Sequence, residues 1–325
     1  MIYSVRHLTA YSYDTPVASA TLALRVTPRD SAVQRIIAHK VEVSPHPVSI
    51  EFERDFYGNA VNVVTIEESH TELSIHATAE VEMSYGVPRS GPGQNWEEVA
   101  DAAMRSHDMS SQAPAHFMFA SPRIQLSAEV TRYAHQSFAS RRGVLDATRD
   151  LITRIKREFA YQPESTEIWT PLQQAFAARR GVCQDFAHIM TTIARAWGVP
   201  CRYVSGYLYH KGSRDRSAAD ATHAWVEAYL PSLGWVGFDP TNNIMACERH
   251  IRAAVGRDYA DVPPTRGTYK GGADSELSIA VSLEPTQAPV RHEDFLKVAR
   301  PMTSATPTPS MPERLYHQQQ QQQQQ

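Results

Sequence analysis

The feature that most constrains the fold is a strict alternation of apolar and polar residues over positions 73–83. Its apolar members are Leu73, Ile75, Ala77, Ala79, Val81 and Met83. A period of two places these side chains on one face of an extended strand and the polar ones on the other. Shorter alternating segments lie around 3–13, 22–26, 41–43, 48–53 and 61–66, separated by turn signals. Residues 1–85 are therefore predicted to form an antiparallel β-sandwich domain.

The composition changes after this domain. Residues 86–120 are rich in Gly, Pro, Ser and Asn, which predicts a linker or long loop. Residues 121–262 then show helical periodicity followed by strand-like segments. The longest amphipathic segment runs from Cys183 to Trp197 and ends at Gly198, as a helix would. Strands are predicted over 201–209, 222–230 and 235–239, and the short turn 231–234 makes the last two a hairpin.

The C-terminal part is divided into two segments. Residues 263–284 contain one more alternating strand, from Leu277 to Leu283, which we expect to complete the fold. Residues 285–325 hold six prolines before a run of eight glutamines from Gln318 to Gln325. Such a segment has too little apolar surface to offset its ordering entropy, so we expect it to be disordered.

Charge and hydropathy exclude several classes of protein. The chain carries a net charge of −3, without the clustered basic face of a nucleic-acid binder. No stretch approaches the roughly 18 apolar residues of a membrane helix. Arg6 and His7 stand near the N-terminus where a signal peptide would need an apolar run. The three cysteines are too few for a disulfide framework, and their odd number means that at least one thiol forms no disulfide within a monomer. We expect a cytoplasmic protein without cofactor or metal, of undetermined oligomeric state.

Cys183 stands directly after the turn at Gly181, at the start of the predicted helix. The partial positive charge of a helix N-terminus stabilises a thiolate and lowers the pKa of a cysteine there. A buried structural cysteine is the competing interpretation. The position favours a nucleophile, with Cys201 and Cys247 as ordinary thiols.

A thiolate nucleophile needs a base to carry its proton and a third group to orient that base. His223 begins the first strand of the predicted hairpin, and Asp239 ends the second. Both residues therefore lie at the same end of the hairpin, where they could share a hydrogen bond.

These segments together resemble the bacterial transglutaminase-like family. The resemblance rests on residues 181–188 (GVCQDFAH), 202–207 (RYVSGY), 223–227 (HAWVE), 234–243 (GWVGFDPTNN) and 252–259 (RAAVGRDY), and on the β-rich segment 1–85. It implies an α+β fold in which a β-sandwich precedes a papain-like transglutaminase core, whose Cys-bearing helix packs on an antiparallel sheet. It also implies a triad of Cys183 as nucleophile, His223 as base and acid, and Asp239 as orienting carboxylate.

Further roles remain open at this level. The backbone N–H of Cys183 is a natural oxyanion donor, and Gln184, Trp169 and Tyr207 are candidates for a second one. Asp185 in the first turn is interpreted as a helix cap and His188 as a packing residue.

Three functions fit these residues. The favoured one is a cysteine protease or amidase that hydrolyses peptide or isopeptide bonds through an acyl-enzyme. A transglutaminase-type acyltransferase would resolve the same intermediate with an amine. A binding module with a silent site belongs to a different class. In each case the expected partner is a peptide or protein, not a nucleic acid or a membrane.

Overall fold

The N-terminal half is a sandwich of two antiparallel sheets. In the computed structural model, which describes residues 1–84, 93–167, 169–210 and 221–286, the chain begins with six strands. These are β1 (Ile2–Val17), β2 (Ser19–Leu24), β3 (Gln34–Ser44), β4 (Ser49–Arg54), β5 (Ala60–Ile66) and β6 (His70–Met83). The alternating apolar residues of β6 are buried against those of β1, β2 and β5 in one core, so the predicted sandwich is confirmed.

Two strands from the C-terminal end complete the sandwich. They are β14 (Thr265–Lys270) and β15 (Ser275–Pro285), and the sheet orders are β15-β1-β6-β3 and β14-β2-β5-β4. The sequence predicted only one strand here, because β14 lies in a segment rich in turn-forming residues. Residues 1–85 thus supply six of the eight strands of the two sheets. Of the tail predicted to be disordered, residues 287–325 lie outside the described part of the chain.

The predicted linker contains a helix, so that prediction is wrong for Trp96–Met104. This helix, α1, begins with a capping box in which Asn95 Oδ1 accepts from the Glu98 N–H (2.8 Å) and Glu98 Oε2 accepts from the Asn95 N–H (3.2 Å). Reciprocal bonds of this kind satisfy backbone N–H groups that have no acceptor within the first turn of a helix. The preceding Gly and Pro residues masked this signal in the sequence. Positions 85–92 of the predicted linker are outside the described residues.

The second half packs helices on an antiparallel sheet. The helices after α1 are α2 (Ala128–Tyr133), α3 (Val144–Glu158), α4 (Leu172–Ala178) and α5 (Cys183–Ala196), with short 3₁₀ turns at Pro114–Phe117 and Tyr259–Asp261. A two-stranded parallel pair is formed by β7 (Ala160–Tyr161) and β8 (Arg180–Gly181). The main sheet has the order β12-β11-β10-β9-β13, from β9 (Cys201–Leu208), β10 (His223–Leu230), β11 (Gly234–Asp239), β12 (Ile244–Met245) and β13 (His250–Gly256).

Helix α5 is the centre of this half. Residues 183–195 are all buried, because α5 is covered by the sheet on one side and by α2, α3 and α4 on others. The α+β architecture with a Cys-bearing helix on an antiparallel sheet is therefore confirmed. No helix within the described residues is both long enough and apolar enough to cross a bilayer.

Side-chain amides join the two halves at β13. Asn59 of the sandwich donates to the Val255 carbonyl (2.7 Å) and accepts from its N–H (2.8 Å). Gln34 makes the same double contact with the backbone of Arg252, at 2.8 Å each way. These buried amides satisfy backbone groups of β13 that no neighbouring strand pairs with. The sandwich thereby fixes the position of the strand that begins at His250.

Candidate active site

Cys183 is the first residue of α5 and is 1% exposed. Its helix starts sharply because the carboxylate of Asp185 turns back and accepts from the Val182 N–H (2.8 Å) and from Thr166 Oγ1 (2.6 Å). The interpretation of Asp185 as a cap is thereby confirmed. Burial raises the pKa of Asp185 to about 6, against the effect of these two hydrogen bonds.

Gly181 is required by this arrangement. A Cβ atom at this position would lie 2.5 Å from Asp185 Oδ2 and 2.8 Å from Asp185 Cβ, well inside van der Waals contact. Only glycine allows the chain to pass this close to the capping carboxylate. The Gly–Val–Cys spacing therefore has a steric origin, which positions the thiol at the helix start.

The hairpin brings His223 and Asp239 into contact, as the sequence predicted. Strands β10 and β11 pair from Leu230 and Gly234 at the turn to Val226 and Phe238 near its open end. There, His223 Nε2 lies 2.8 Å from Asp239 Oδ2, and both side chains are fully buried. The carboxylate therefore binds Nε2 of the histidine, so Nδ1 is the ring nitrogen that can exchange a proton with another group.

Asp239 is held by its own turn. Its Oδ1 accepts from the N–H groups of Thr241 (2.9 Å) and Asn242 (3.1 Å), and its Oδ2 accepts from Asn242 Nδ2 (2.9 Å). Burial alone would raise the pKa of Asp239, but the charge of His223 and hydrogen bonds from His223 and His250 outweigh it. The pKa stays far below its usual range, so Asp239 is an ionised carboxylate at neutral pH.

His223 is stabilised as an imidazolium. Burial lowers the pKa of His223, but Asp239 and, after it, the Cys183 thiol have the larger opposite effect. The pKa is thereby raised to about 10. The Cys183 thiol is therefore close enough to the ring to act on it.

The sequence analysis missed His250, at the start of β13. Its Nε2 lies 3.3 Å from the same Asp239 Oδ2 that accepts from His223. The sequence signal was weak, because a histidine 11 positions after Asp239 belongs to none of the segments in the hairpin. With His223 and Asp239 it forms a buried group of residue types that can ligate a metal. However, His250 Nδ1 accepts from the Cys247 N–H (3.2 Å), which leaves the proton on Nε2 and disfavours this atom as a ligand.

The three candidates for a second oxyanion donor have different positions. Tyr207 donates its hydroxyl proton to the Val26 carbonyl in the sandwich (3.0 Å) and contacts His7 there, so it does not point toward Cys183 and this prediction is wrong. Gln184 is buried beside Cys183, and its Oε1 accepts no hydrogen bond from the described residues. The Arg123 guanidinium stacks on the indole of Trp169, with Arg123 Cζ 4.0 Å from the ring centroid. Gln184 and Trp169 therefore remain candidates.

A cavity of about 200 Å³ lies against the first turns of α5. Its lining includes Arg123, Trp169, Asp185 and His188. His188 accepts from the Tyr259 N–H (3.2 Å), which confirms it as a packing residue, and burial lowers its pKa to about 4.

The two other cysteines differ from each other. Cys201 is buried next to Thr191, and burial raises its pKa to about 11, as expected for an ordinary thiol. Cys247 is half-buried, with its Sγ 3.8 Å from His250 Nδ1. Burial would raise the pKa of Cys247, but His250 outweighs it and lowers the pKa. The contact with His250 therefore distinguishes Cys247 from Cys201, although the sequence predicted both as ordinary thiols.

Known proteins match both halves of this chain. Residues 3–82 match the family described as the bacterial transglutaminase-like N-terminal region, and residues 126–240 match the transglutaminase-like superfamily. An uncharacterized protein of Mycobacterium tuberculosis (strain H37Rv) is 35% identical over 302 residues, which cover 89% of this chain and 95% of that protein.

Two further similarities concern the fold and part of the core. A crystal structure from Cytophaga hutchinsonii, provisionally described as a cysteine protease, has a TM-score of 0.69 and 24% identity, and covers 89% of this chain and 92% of that one. The protein-glutamine gamma-glutamyltransferase of Pseudomonas aeruginosa is 33% identical over 94 residues, which cover 26% of this chain and 14% of that protein.

Proposed function

Because the chain belongs to the transglutaminase-like superfamily, with the N-terminal region of its bacterial members, we propose that it is a thiol-dependent enzyme that hydrolyses amide bonds. The nucleophile is Cys183, the proton carrier is His223, and the orienting carboxylate is Asp239. The observation that carries this proposal is the 2.8 Å contact between His223 Nε2 and Asp239 Oδ2, with a Cys183 thiol that acts on the same ring.

The proposed reaction has two halves. The Cys183 thiolate attacks the carbonyl carbon, and the resulting oxyanion is stabilised by the backbone N–H groups in the first turn of α5. His223 then gives its proton to the leaving nitrogen, the C–N bond breaks, and a thioester on Cys183 remains. A water molecule attacks the thioester while His223 takes its proton, and the acid leaves as the thiolate and the imidazolium are restored.

The substrate class we propose is a peptide or an isopeptide within a protein. We test it by incubating the protein with a peptide library and with isopeptide-linked peptides, and by detecting new carboxyl ends by mass spectrometry. We expect cleavage by the native chain and none by the Cys183→Ala variant. Equal product from both proteins would contradict covalent catalysis by Cys183.

Acyl transfer is the second candidate function. It is supported by the local similarity to the Pseudomonas aeruginosa gamma-glutamyltransferase. The triad is the same in both reactions, so the choice depends on whether water or an amine reaches the thioester. A glutamine-containing peptide and a labelled amine distinguish them. We expect ammonia release to exceed amine incorporation, and the reverse result would identify an acyltransferase.

A non-catalytic binding module is the third candidate. Alkylation by iodoacetamide near pH 6 tests it, because only a stabilised thiolate reacts fast at that pH. We expect the peptide that contains Cys183 to be labelled faster than the one that contains Cys201. Equal rates would remove the claim of an activated thiolate and favour a binding role.

We also propose that the protein acts in the cytoplasm. The support is that Cys183, Cys201 and Cys247 form no disulfide with one another, as is usual in a reducing compartment. Fractionation of cells that express the native chain at its natural level tests this proposal. Recovery with periplasmic or secreted markers would overturn it.

A further inference from the structure

Asp239 receives hydrogen bonds from two histidines, only one of which the proposed reaction uses. His223 reaches Oδ2 at 2.8 Å and His250 reaches the same oxygen at 3.3 Å. The two rings come from different strands, β10 and β13, and their centroids lie 6.3 Å apart. Both side chains are at most 1% exposed, so water does not weaken these contacts.

The backbone determines which nitrogen of His250 carries the proton. The Cys247 N–H points at Nδ1 (3.2 Å), and Nδ1 must offer a lone pair to accept it. The proton of the neutral ring therefore lies on Nε2, which donates to Asp239. His250 Nε2 is thus a second N–H donor to the carboxylate, beside His223 Nε2.

His250 is not needed to hold the carboxylate in place. Three hydrogen bonds from Thr241 and Asn242 fix the position of Asp239 within its own turn. The remaining effect of His250 is electrostatic. An N–H donor at Oδ2 shares the negative charge that His223 would otherwise receive alone, and so weakens the stabilisation of the imidazolium.

We propose that His250 is a positioning residue of the triad that acts through Asp239, reducing the pull of the carboxylate on the His223 proton. This inference rests on the proposed function, because it concerns the acid step of the same reaction. A proton held too strongly is transferred slowly to the leaving nitrogen, since an efficient general acid has a pKa near the working pH. His250 thereby keeps the His223 proton transferable.

The surroundings of the pair are specific enough to assign a pH effect. Within the described residues, the groups that face the two rings are Cys183 from α5, Asp239 from β11 and Cys247 from the segment before β13. Trp225 of β10 covers both rings with its indole, 5.2 Å from the His250 centroid and 6.0 Å from that of His223. Glu248 acts on Cys247, and Cys247, Glu248 and Arg249 in turn act on Tyr3 of β1.

The sign of the effect follows from the charge on Asp239. Without the His250 donor, the carboxylate stabilises the imidazolium more strongly. The thiolate–imidazolium pair then forms at lower pH and persists to higher pH. The acid limb of the pH profile of Cys183 alkylation should move to lower pH, and the alkaline limb of the pH profile of kcat/KM should move to higher pH.

The test uses His250→Met, which removes the donor, and His250→Gln, whose amide N–H can still reach Asp239. Iodoacetamide labelling of Cys183 is followed by mass spectrometry from pH 3 to pH 10, which separates it from Cys247 and needs no substrate. For His250→Met we expect the acid limb to move down by about half a unit to one unit, and turnover to fall about tenfold. For His250→Gln we expect both quantities close to the native values. His39→Met, at an exposed position on β3, controls for the substitution itself.

Several results would overturn the proposal. They are an acid limb that does not move or moves up in His250→Met, an equal shift in His250→Gln, and a loss of alkylation rate in parallel with turnover. The last pattern would indicate a purely structural role. Absence of turnover in the native chain would refute the proposed function, but the alkylation profiles would still test His250.

A measurement on the native chain covers the case in which His250→Met does not fold. With ¹⁵N-labelled histidine, the nitrogen shifts of His250 report its tautomer. At the pH at which turnover is measured, we expect a proton on Nε2 and none on Nδ1. A proton on Nδ1 at that pH would overturn the proposal, because Nδ1 could not then accept from Cys247.

Discussion

At the residue scale, the reactivity of Cys183 depends on groups that are far apart in sequence. The helix start supplies a partial positive charge, and His223, 40 positions later, supplies a full one. Asp239 keeps that second charge on the ring, since it remains ionised in a buried position. The proposed activation of the thiol therefore depends on three elements, α5, β10 and β11.

Replacement of the nucleophile gives the first prediction. Cys183→Ala should lower turnover by at least about 10⁴-fold, because no other group can form the thioester. Circular dichroism should show an unchanged fold, since Ala fits the space of the thiol. The control is Cys201→Ala, which should keep turnover within a few fold because the Cys201 thiol lies beside Thr191, well along α5 from Cys183. Residual activity of Cys183→Ala near the native level would contradict this role.

Asp185 gives a prediction on stability. Its pKa rises from 3.8 in the unfolded chain to about 6 in the fold, so the group stabilises the protein at low pH, and this contribution is lost as the pH rises through 6. The loss between pH 4 and pH 7 amounts to about 2 kcal/mol.

Asp185→Asn should abolish that loss while its amide oxygen still caps Val182. Urea unfolding of both proteins at pH 4 and pH 7 measures it: relative to the native chain, the variant should gain about 2 kcal/mol from the lower to the higher pH. A constant difference between the two proteins would show that Asp185 has an ordinary pKa.

At the element scale, the start of α5 depends on a glycine and a carboxylate. Gly181 ends β8 and Cys183 begins α5, so one residue, Val182, separates a strand from a helix. Asp185 compensates for this abrupt change by accepting the Val182 N–H. The hairpin has the complementary role, since its open end brings His223 and Asp239 to the helix start.

A prediction follows for Gly181→Ala. The new Cβ would displace Asp185, so we expect a loss of about 2–3 kcal/mol in stability and a lower rate of Cys183 alkylation. Gly272→Ala is the matched control, because its Cβ would meet no atom within 4 Å, and it should change stability by less than about 0.5 kcal/mol. Urea midpoints measure both. Equal midpoints would show that the contact with Asp185 is relieved without cost.

At the scale of the whole molecule, strands from the N-terminal and C-terminal parts of the described chain meet in one sandwich. β15 pairs with β1 along 11 residue pairs from Tyr3 to Tyr13, and β14 pairs with β2 from Ser19 to Leu24. The core between them is thus enclosed by both halves of the sequence. The helix-bearing second half lies between strands of the sandwich in the sequence, and Gln34 and Asn59 fix its strand β13.

Truncation tests this closure. A chain that ends at residue 262 lacks β14 and β15 and exposes the edges of β1 and β2, so we expect aggregation or loss of the sandwich. A chain that ends at residue 286 keeps both strands and should unfold at the same urea concentration as the full chain. Size-exclusion chromatography and urea unfolding measure the two outcomes. A monomeric, cooperatively folding chain of 262 residues would show that the sandwich closes without its C-terminal strands.

How much the sequence predicts depends on how local each signal is. The alternation in β6, the helix from Cys183 and the hairpin from His223 to Asp239 are encoded within single segments, and all three were predicted. The capping box of α1 is also local, but the Gly and Pro residues before it concealed it. The pairing of β14 with β2 is not local at all, since these strands are more than 200 positions apart.

By itself, the sequence determined the period-two strands, the Cys-bearing helix and the hairpin that brings His223 and Asp239 together, because hydrophobic period and turn chemistry act over a few residues. Only the tertiary structure decided that the C-terminal strands close the sandwich, that Tyr207 is bound to Val26 and that His250 reaches Asp239. These contacts depend on the register and packing of strands that are distant in sequence. A side chain's hydrogen-bond partner in a buried site is determined by that packing and not by its neighbours along the chain.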